Sequence, residues 1–199
     1  MKAAPMSLND KPNAGALKWR LRESHQPYAN ETFAVRVDDL SLSSENQLEY
    51  GYLERAGAVV VVPVTRDSQI VTLRQYRYPI DDWCVEVPAG GTHDVGDASL
   101  EDVVRKELRE EVGATCGGLT AVGHFFTAPS LTDEQCHVFL AENVEVTRAP
   151  DEEASEEIRV QLLPAQQVVE MARSGKMKNG PCALAVLWCE PLLRQRGYI

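Results

Sequence analysis

Apolar residues fall along this chain in three patterns, and each predicts a different element. Thr32-Phe33-Ala34-Val35-Arg36-Val37 alternates with a period of two, which predicts a half-buried strand closed by Asp38-Asp39. Leu48–Leu53 repeats the pattern with Tyr50 and Tyr52 on one face, and Ser41–Asn46 between the two is a polar turn. Ala58–Val64 (AVVVVPV) is a nearly unbroken β-branched run, the signature of a strand buried on both faces. After the turn Arg66-Asp67-Ser68, Ile70–Tyr76 reads as its hairpin partner, and Trp83–Val87 as a further strand that stops at Pro88-Ala89-Gly90-Gly91. The third pattern is helical. Leu100–Val112 is preceded by Ser99 as N-cap, carries Asp102 at N3 and is ended by Gly113. Leu119–Phe126 and Cys136–Ala141 are strands flanking the loop Thr127–Glu134, and Ile158–Leu163 is another. Two helices follow, about Ala165–Ser174, stopped by Gly175, and about Cys182–Arg194, interrupted by Pro191.

Mixed strands and helices with hairpins predict an α+β architecture rather than a doubly wound parallel sheet. The strands before residue 57 are too few to stand alone and are expected to pack on the rest of the chain or on a second copy. The chain therefore divides into a disordered leader over 1–16, a small β extension over 17–56 and a main domain over 57–199. Trp83 and Trp188 read as core residues.

Composition narrows the function. The 199 residues are 44% hydrophobic, enough for a core, and carry a net charge of −10, which argues against a nucleic-acid partner. A phosphorylated small substrate remains compatible, because a bound metal supplies positive charge locally. The five cysteines (Cys84, Cys116, Cys136, Cys182, Cys189) include no C-x-x-C pair and fit reduced thiols in a cytoplasmic protein. Residues 1–15 lack the apolar stretch of a signal peptide, and no run approaches the roughly 18 apolar residues of a membrane span.

The densest chemistry lies in Lys106-Glu107-Leu108-Arg109-Glu110-Glu111-Val112-Gly113. Glu110 and Glu111 stand three and four residues after Glu107, so the carboxylates share one helix face. Like charges that close repel, and a divalent cation is the natural counter-charge; read alone, the same residues also describe a solvated helix face. The acidic stretch Asp151–Glu157 admits the same two readings. Trp19, Tyr28, Tyr50 and Tyr52 suit either packing or a stacking surface for a base. His93 reads as a surface loop residue, and His25, His124 and His137 show no metal-ligand spacing.

Taken together these residues resemble the Nudix family, whose box reads G-x5-E-x7-R-E-U-x-E-E-x-G-U with U aliphatic. Gly91 fits the first glycine, Asp97 stands at the first glutamate, and eight residues rather than seven lead to Lys106 at the arginine position. Glu107, Leu108, Glu110, Glu111, Gly113 and Ala114 then fit without gaps. Lys106 keeps the charge but not the planar fork of arginine. Further segments are similar to the ADP-ribose pyrophosphatase branch: Gly57–Val61, Arg74-Gln75-Tyr76-Arg77-Tyr78-Pro79, Glu86-Val87-Pro88-Ala89-Gly90, and Thr127-Ala128-Pro129-Ser130 followed by Thr132-Asp133-Glu134. Pro129 lies about 15 residues beyond the box, at a place associated with ADP-ribose preference.

The resemblance implies a Nudix fold, a mixed β-sheet core sandwiched by helices. It implies a pyrophosphatase that cleaves ADP-ribose or a related nucleoside diphosphate sugar to a nucleoside monophosphate and a sugar phosphate. GDP- or UDP-sugars, dinucleoside polyphosphates and coenzymes are alternative substrates, and a non-catalytic nucleotide-sugar sensor is the alternative outside enzymes. Mg2+, or Mn2+, would be held by Glu107, Glu110, Glu111 and the carbonyl of Ala89. A further carboxylate from outside the box, Glu156 or else Glu153, would complete the metal site or act as base. Arg77 would bind phosphate, or else only form a salt bridge at its strand end; Glu86 would contact substrate or hold the site, and Pro129 and Ser130 would contact substrate. The similar enzymes also imply a homodimer built with the N-terminal strands.

Overall fold

The structure, a computed structural model, describes residues 11–92, 98–149 and 158–199. They fall into two units, one drawn from Met1–Ala56 and Phe126–Glu134, the other from Gly57–Phe125 and Gln135–Ile199.

The first unit holds a short helix α1 (Pro12–Ala16) and an antiparallel sheet of β1 (Arg20–Ala29), β2 (Phe33–Ser41) and β3 (Gln47–Arg55) in that order. Strand β2 alternates buried and half-buried residues along its whole length, as its sequence predicts. Strand β1 is exposed at nearly every position, so it carries no two-residue hydrophobic rhythm to read. The segment 126–134 lies against β3. The Leu53 amide donates to the Leu131 carbonyl at 2.8 Å, and the Arg55 amide to Asp133 Oδ1 at 2.9 Å.

The second unit is built on a seven-stranded mixed sheet. Its main path runs β12 (Ile158–Pro164), β5 (Gln69–Arg77), β4 (Ala58–Val64), β10 (Gln135–Glu142) and β9 (Gly118–Phe126). Strand β6 (Asp82–Glu86) adds to β5, and β7 (Ala89–Gly91) adds to β4. A small separate pair joins β8 (Ala114–Thr115) and β11 (Glu145–Val146). The predicted hairpin of β4 and β5 splays after its turn: the two pair at Val64↔Ile70, beyond which β7 takes up β4 and β6 takes up β5, while β12 pairs with the other edge of β5 from Gln69 to Gln75.

Side chains of β4 divide between two cores. Val60, Val62 and Val64 pack with α3 (Ala165–Arg173) and α4 (Gly180–Gln195), while Val59 and Val61 pack with Val103, Val104, Leu108 and Val112 of α2 (Leu100–Val112). Helices therefore cover both faces, which is why β4 is apolar without alternation. No helix among the described residues is long and apolar enough to cross a membrane.

Two tryptophans differ from their reading as core. Trp188 is 37% exposed and packs edge-on against Phe125. Trp83 is half-buried, with the guanidinium groups of Arg74 and Arg159 at 4.8 and 5.2 Å from its ring centre. An indole rarely disappears fully into a core, and here arginines use its face instead.

Candidate active site

The helix that carries the acidic cluster is fixed by local chemistry at both ends. Ser99 Oγ accepts from the Asp102 amide at 3.2 Å while Asp102 Oδ2 accepts from the Ser99 amide at 3.2 Å, a reciprocal capping box. Gly113 ends the helix with φ of 62°, and a Cβ there would meet the Arg148 carbonyl oxygen at 2.1 Å. The register of the glutamates is therefore set by residues that lie outside the site.

From this helix two carboxylates reach the β7 backbone. Glu111 Oε2 accepts from the Ala89 amide at 2.9 Å. The Glu107 carboxylate lies over Gly90, in space that a Cβ at position 90 would fill. Glu110 is more exposed and pairs with Lys106 at 3.1 Å, while Lys106 also stands 3.8 Å from Glu107. The helix thus brings Glu107 and Glu111 to the Ala89–Gly90 strand and leaves Glu110 in an i,i+4 pair.

Beside them Arg77, the last residue of β5, forms a two-pronged pair with Glu86 of β6, Nε to Oε1 at 2.9 Å and Nη2 to Oε2 at 2.5 Å. Glu86 is 1% exposed, so its charge needs this partner. The hydrogen bonds to Glu86 are the largest influence on the Arg77 guanidinium and hold it above its ordinary range against the opposing cost of burial, with Glu111 adding attraction. The predicted phosphate ligand therefore also has a buried carboxylate that orients it. Cys182 lies in the same neighbourhood, its thiol facing the Val87 carbonyl at 3.6 Å and pushed well up by burial and then by Glu86. That leaves it an uncharged thiol rather than a nucleophile.

The donors present suit a hard divalent cation: two carboxylates beside a backbone segment that can offer a carbonyl oxygen. Among the described residues no three His, Cys, Asp or Glu side chains are gathered into a complete shell. Asp97, Glu153 and Glu156 lie outside the described residues.

Pro129 and Ser130 belong to the first unit. Pro129 lines a cavity of about 420 Å³ together with Trp19, Tyr50, Tyr52, Phe126 and Asp38. The Ser130 carbonyl accepts from the Tyr50 hydroxyl at 3.1 Å. Tyr50 and Tyr52 meet edge to face with centres 6.4 Å apart. Burial, partly offset by Arg36, pushes the Tyr52 hydroxyl up to about 12, so it remains a donor at neutral pH. Asp38 is 4% exposed, and its Oδ1 accepts from Ser24 Oγ at 2.6 Å and from Arg36 Nε at 2.9 Å. Tyr28 does not join this group but packs on Phe33. The sequence marks each of these aromatics as packing or stacking, but their convergence depends on how the segment 126–134 meets β3.

Comparison with known proteins assigns the chain. The sequence model of the NUDIX domain matches residues 54–181, well over half of the chain. The chain belongs to the Nudix family. Within it, this Nudix chain is similar to an ADP-ribose pyrophosphatase of Bacillus subtilis (strain 168), 28% identical over 166 residues that span 83% of this chain and 89% of that relative. It is 29% identical over 169 residues to an ADP-ribose pyrophosphatase of Escherichia coli (strain K12), spanning 79% and 78% of the two. Its fold matches the crystal structure of an ADP compounds hydrolase with a TM-score of 0.76, covering 91% of this chain and 97% of the other at 18% identity. The α+β Nudix fold expected from the sequence is the fold observed.

Proposed function

We propose that this Nudix hydrolase cleaves the pyrophosphate bond of ADP-ribose or a related nucleoside diphosphate sugar. One water adds across the P–O–P anhydride, and a nucleoside monophosphate and a sugar phosphate leave. The observation that carries the reading is the approach of the Glu107 and Glu111 carboxylates to the Ala89–Gly90 backbone beside the Arg77–Glu86 pair. The substrate class rests on the relatives named ADP-ribose pyrophosphatase.

Glu107, Glu111 and the Ala89 carbonyl would hold Mg2+ or Mn2+, with Glu110 nearby. When bound, such an ion supplies positive charge to the pyrophosphate oxygens and a water of lowered pKa. Arg77 presents its guanidinium to a phosphate oxygen, and Glu86 fixes the angle of that guanidinium. Glu156, or else Glu153, takes the proton of the attacking water. In the first unit, Trp19, Tyr50 and Tyr52 supply faces on which a planar base can stack, with Pro129 beside them.

The extension 17–56 serves a homodimer in this reading. Strand β1 is an edge strand exposed along nearly its whole length, the kind of surface a second copy covers. Five cysteines outside any disulfide, four of them buried, fit a reducing, cytoplasmic setting.

A panel of ADP-ribose, GDP-mannose, UDP-glucose and a dinucleoside polyphosphate, assayed with Mg2+, tests the substrate class. ADP-ribose is expected to give the highest kcat/KM. A GDP- or UDP-sugar well ahead of it overturns the assignment, and tight ADP-ribose binding without turnover turns the reading toward a sensor.

A further inference from the structure

Two histidines that stand 13 positions apart in sequence meet in the second unit. His124 of β9 and His137 of β10 have ring centres 5.7 Å apart, inclined at 46°. Among the described residues, neither imidazole is engaged by a side-chain hydrogen bond or an ion pair. Two adjacent rings whose nitrogens meet no side-chain hydrogen-bond partner among the described residues can offer two ligands to one shared ion.

The separation can be compared with what chelation requires. A zinc ion about 2.0–2.1 Å from an imidazole nitrogen lies about 3.2 Å from the ring centre, so two rings meeting at the tetrahedral angle stand about 5.2 Å apart. The observed 5.7 Å lies within about half an ångström of that separation. Burial, and then the neighbouring His124, keep the His137 imidazole below its ordinary range, so it stands neutral and ready to ligate at neutral pH.

The place of the pair matters too. Cys136, Val138 and Leu140 of β10 point to the core of α3 and α4, while Phe139 and Ala141 point to the core of α2, so His137 shares the α2 face. Across the sheet His137 pairs with Val59, and Val59 pairs with Gly90, the residue under Glu107. Strands lie about 4.8 Å apart, which places the His137 backbone about 10 Å from that of Gly90.

We propose that His124 and His137 form a site for a borderline divalent transition-metal ion of the zinc, nickel and copper class. It is separate from the carboxylate site and lies on the same face of the sheet. Imidazole prefers such ions, whereas oxygen donors prefer magnesium, so the two sites sort their metals by ligand chemistry. No third His, Cys, Asp or Glu is gathered with the pair among the described residues. Water or an added ligand therefore fills the remaining positions, and the ion is exchangeable. This inference uses the two histidines alone and holds whether or not the chain hydrolyses ADP-ribose.

The test is Zn2+ binding to the full chain in excess Mg2+, which fills hard-oxygen sites. Calorimetry follows the binding, together with NMR of the histidine ring nitrogens. One equivalent of Zn2+ is expected to move the His124 and His137 ring signals together and leave His25 in place. His124→Gln, at an exposed position, should weaken binding by at least about ten-fold and abolish the response of His137. His137→Gln should do the same to His124. Zn2+ binding of unchanged affinity in His124→Gln overturns the proposal, since the ion then sits on cysteines or carboxylates. So does independent titration of the two rings, or the absence of any zinc response in the wild-type rings.

Discussion

The carboxylate of Glu107 occupies the space that a side chain at Gly90 would need: a Cβ built there falls 2.1 Å from Glu107 Cδ and 2.3 to 2.4 Å from its two oxygens. The helix and the strand can meet this closely only because position 90 has no side chain. Gly90→Ala therefore acts on the carboxylate rather than on the backbone. The Glu107 side chain can swing aside, so the cost in stability should stay within about 1 kcal/mol. A displacement of this size should lower kcat/KM by about 10²-fold. Chemical denaturation and steady-state kinetics on the same preparation separate the two effects; a severe loss of stability with near-normal turnover would show that the carboxylate position is structural.

The pair Arg77–Glu86 makes a prediction about stability. Arg77→Met strands a charge that is 1% exposed. Arg77 keeps 39% of its own side chain exposed, so the loss should fall near the lower end for broken buried pairs, about 3 kcal/mol. Adding Glu86→Leu to that variant should recover part of the loss, because the stranded charge is then gone. Urea unfolding of the two single variants and the double variant measures the coupling, and strictly additive losses would mean that the pair is not a unit.

The aromatic cavity should govern binding more than chemistry. Trp19→Ala removes one wall and is expected to raise KM for ADP-ribose by roughly ten-fold while kcat stays within about two-fold. A matched fall in kcat with KM unchanged would place Trp19 outside the binding of the base.

His137 sets a pH effect. Its folded pKa lies below the ordinary 6.5, mainly through burial, so the unfolded chain takes up the proton first as pH falls. Its contribution is absent well above 6.5 and becomes increasingly destabilising as pH drops through 6.5 toward the lower folded value. His137→Gln should flatten that part of the stability profile relative to wild type, as measured by urea midpoints across the acid range.

Much of this arrangement is legible in the sequence, and the reasons are physical. The α2 boundaries follow from Ser99, Asp102 and Gly113, because capping is decided within four residues. The burial of β4 follows from its unbroken valines, which only a strand covered on both faces accepts. Glu107 and Glu111 share a helix face by spacing alone. Long-range register is different. Arg77 and Glu86, like His124 and His137, lie on consecutive strands, but that they meet depends on the register of those strands, and the segment 126–134 reaches Tyr50 from about 80 positions away. Strand β1 escapes the hydrophobic pattern because almost none of it is buried. Glu156 and Glu153 remain expectations of the resemblance, outside the described residues.

The central claim, hydrolysis carried by the α2 carboxylates, is tested most directly at Glu111. Glutamine there can still accept from the Ala89 amide, so the fold should hold while the charge is lost. The measurement is kcat for ADP-ribose with saturating Mg2+, alongside the unfolding midpoint. Glu111→Gln is expected to lower kcat by at least about 10²–10³-fold with the midpoint unchanged. Turnover equal to wild type in that variant would contradict it.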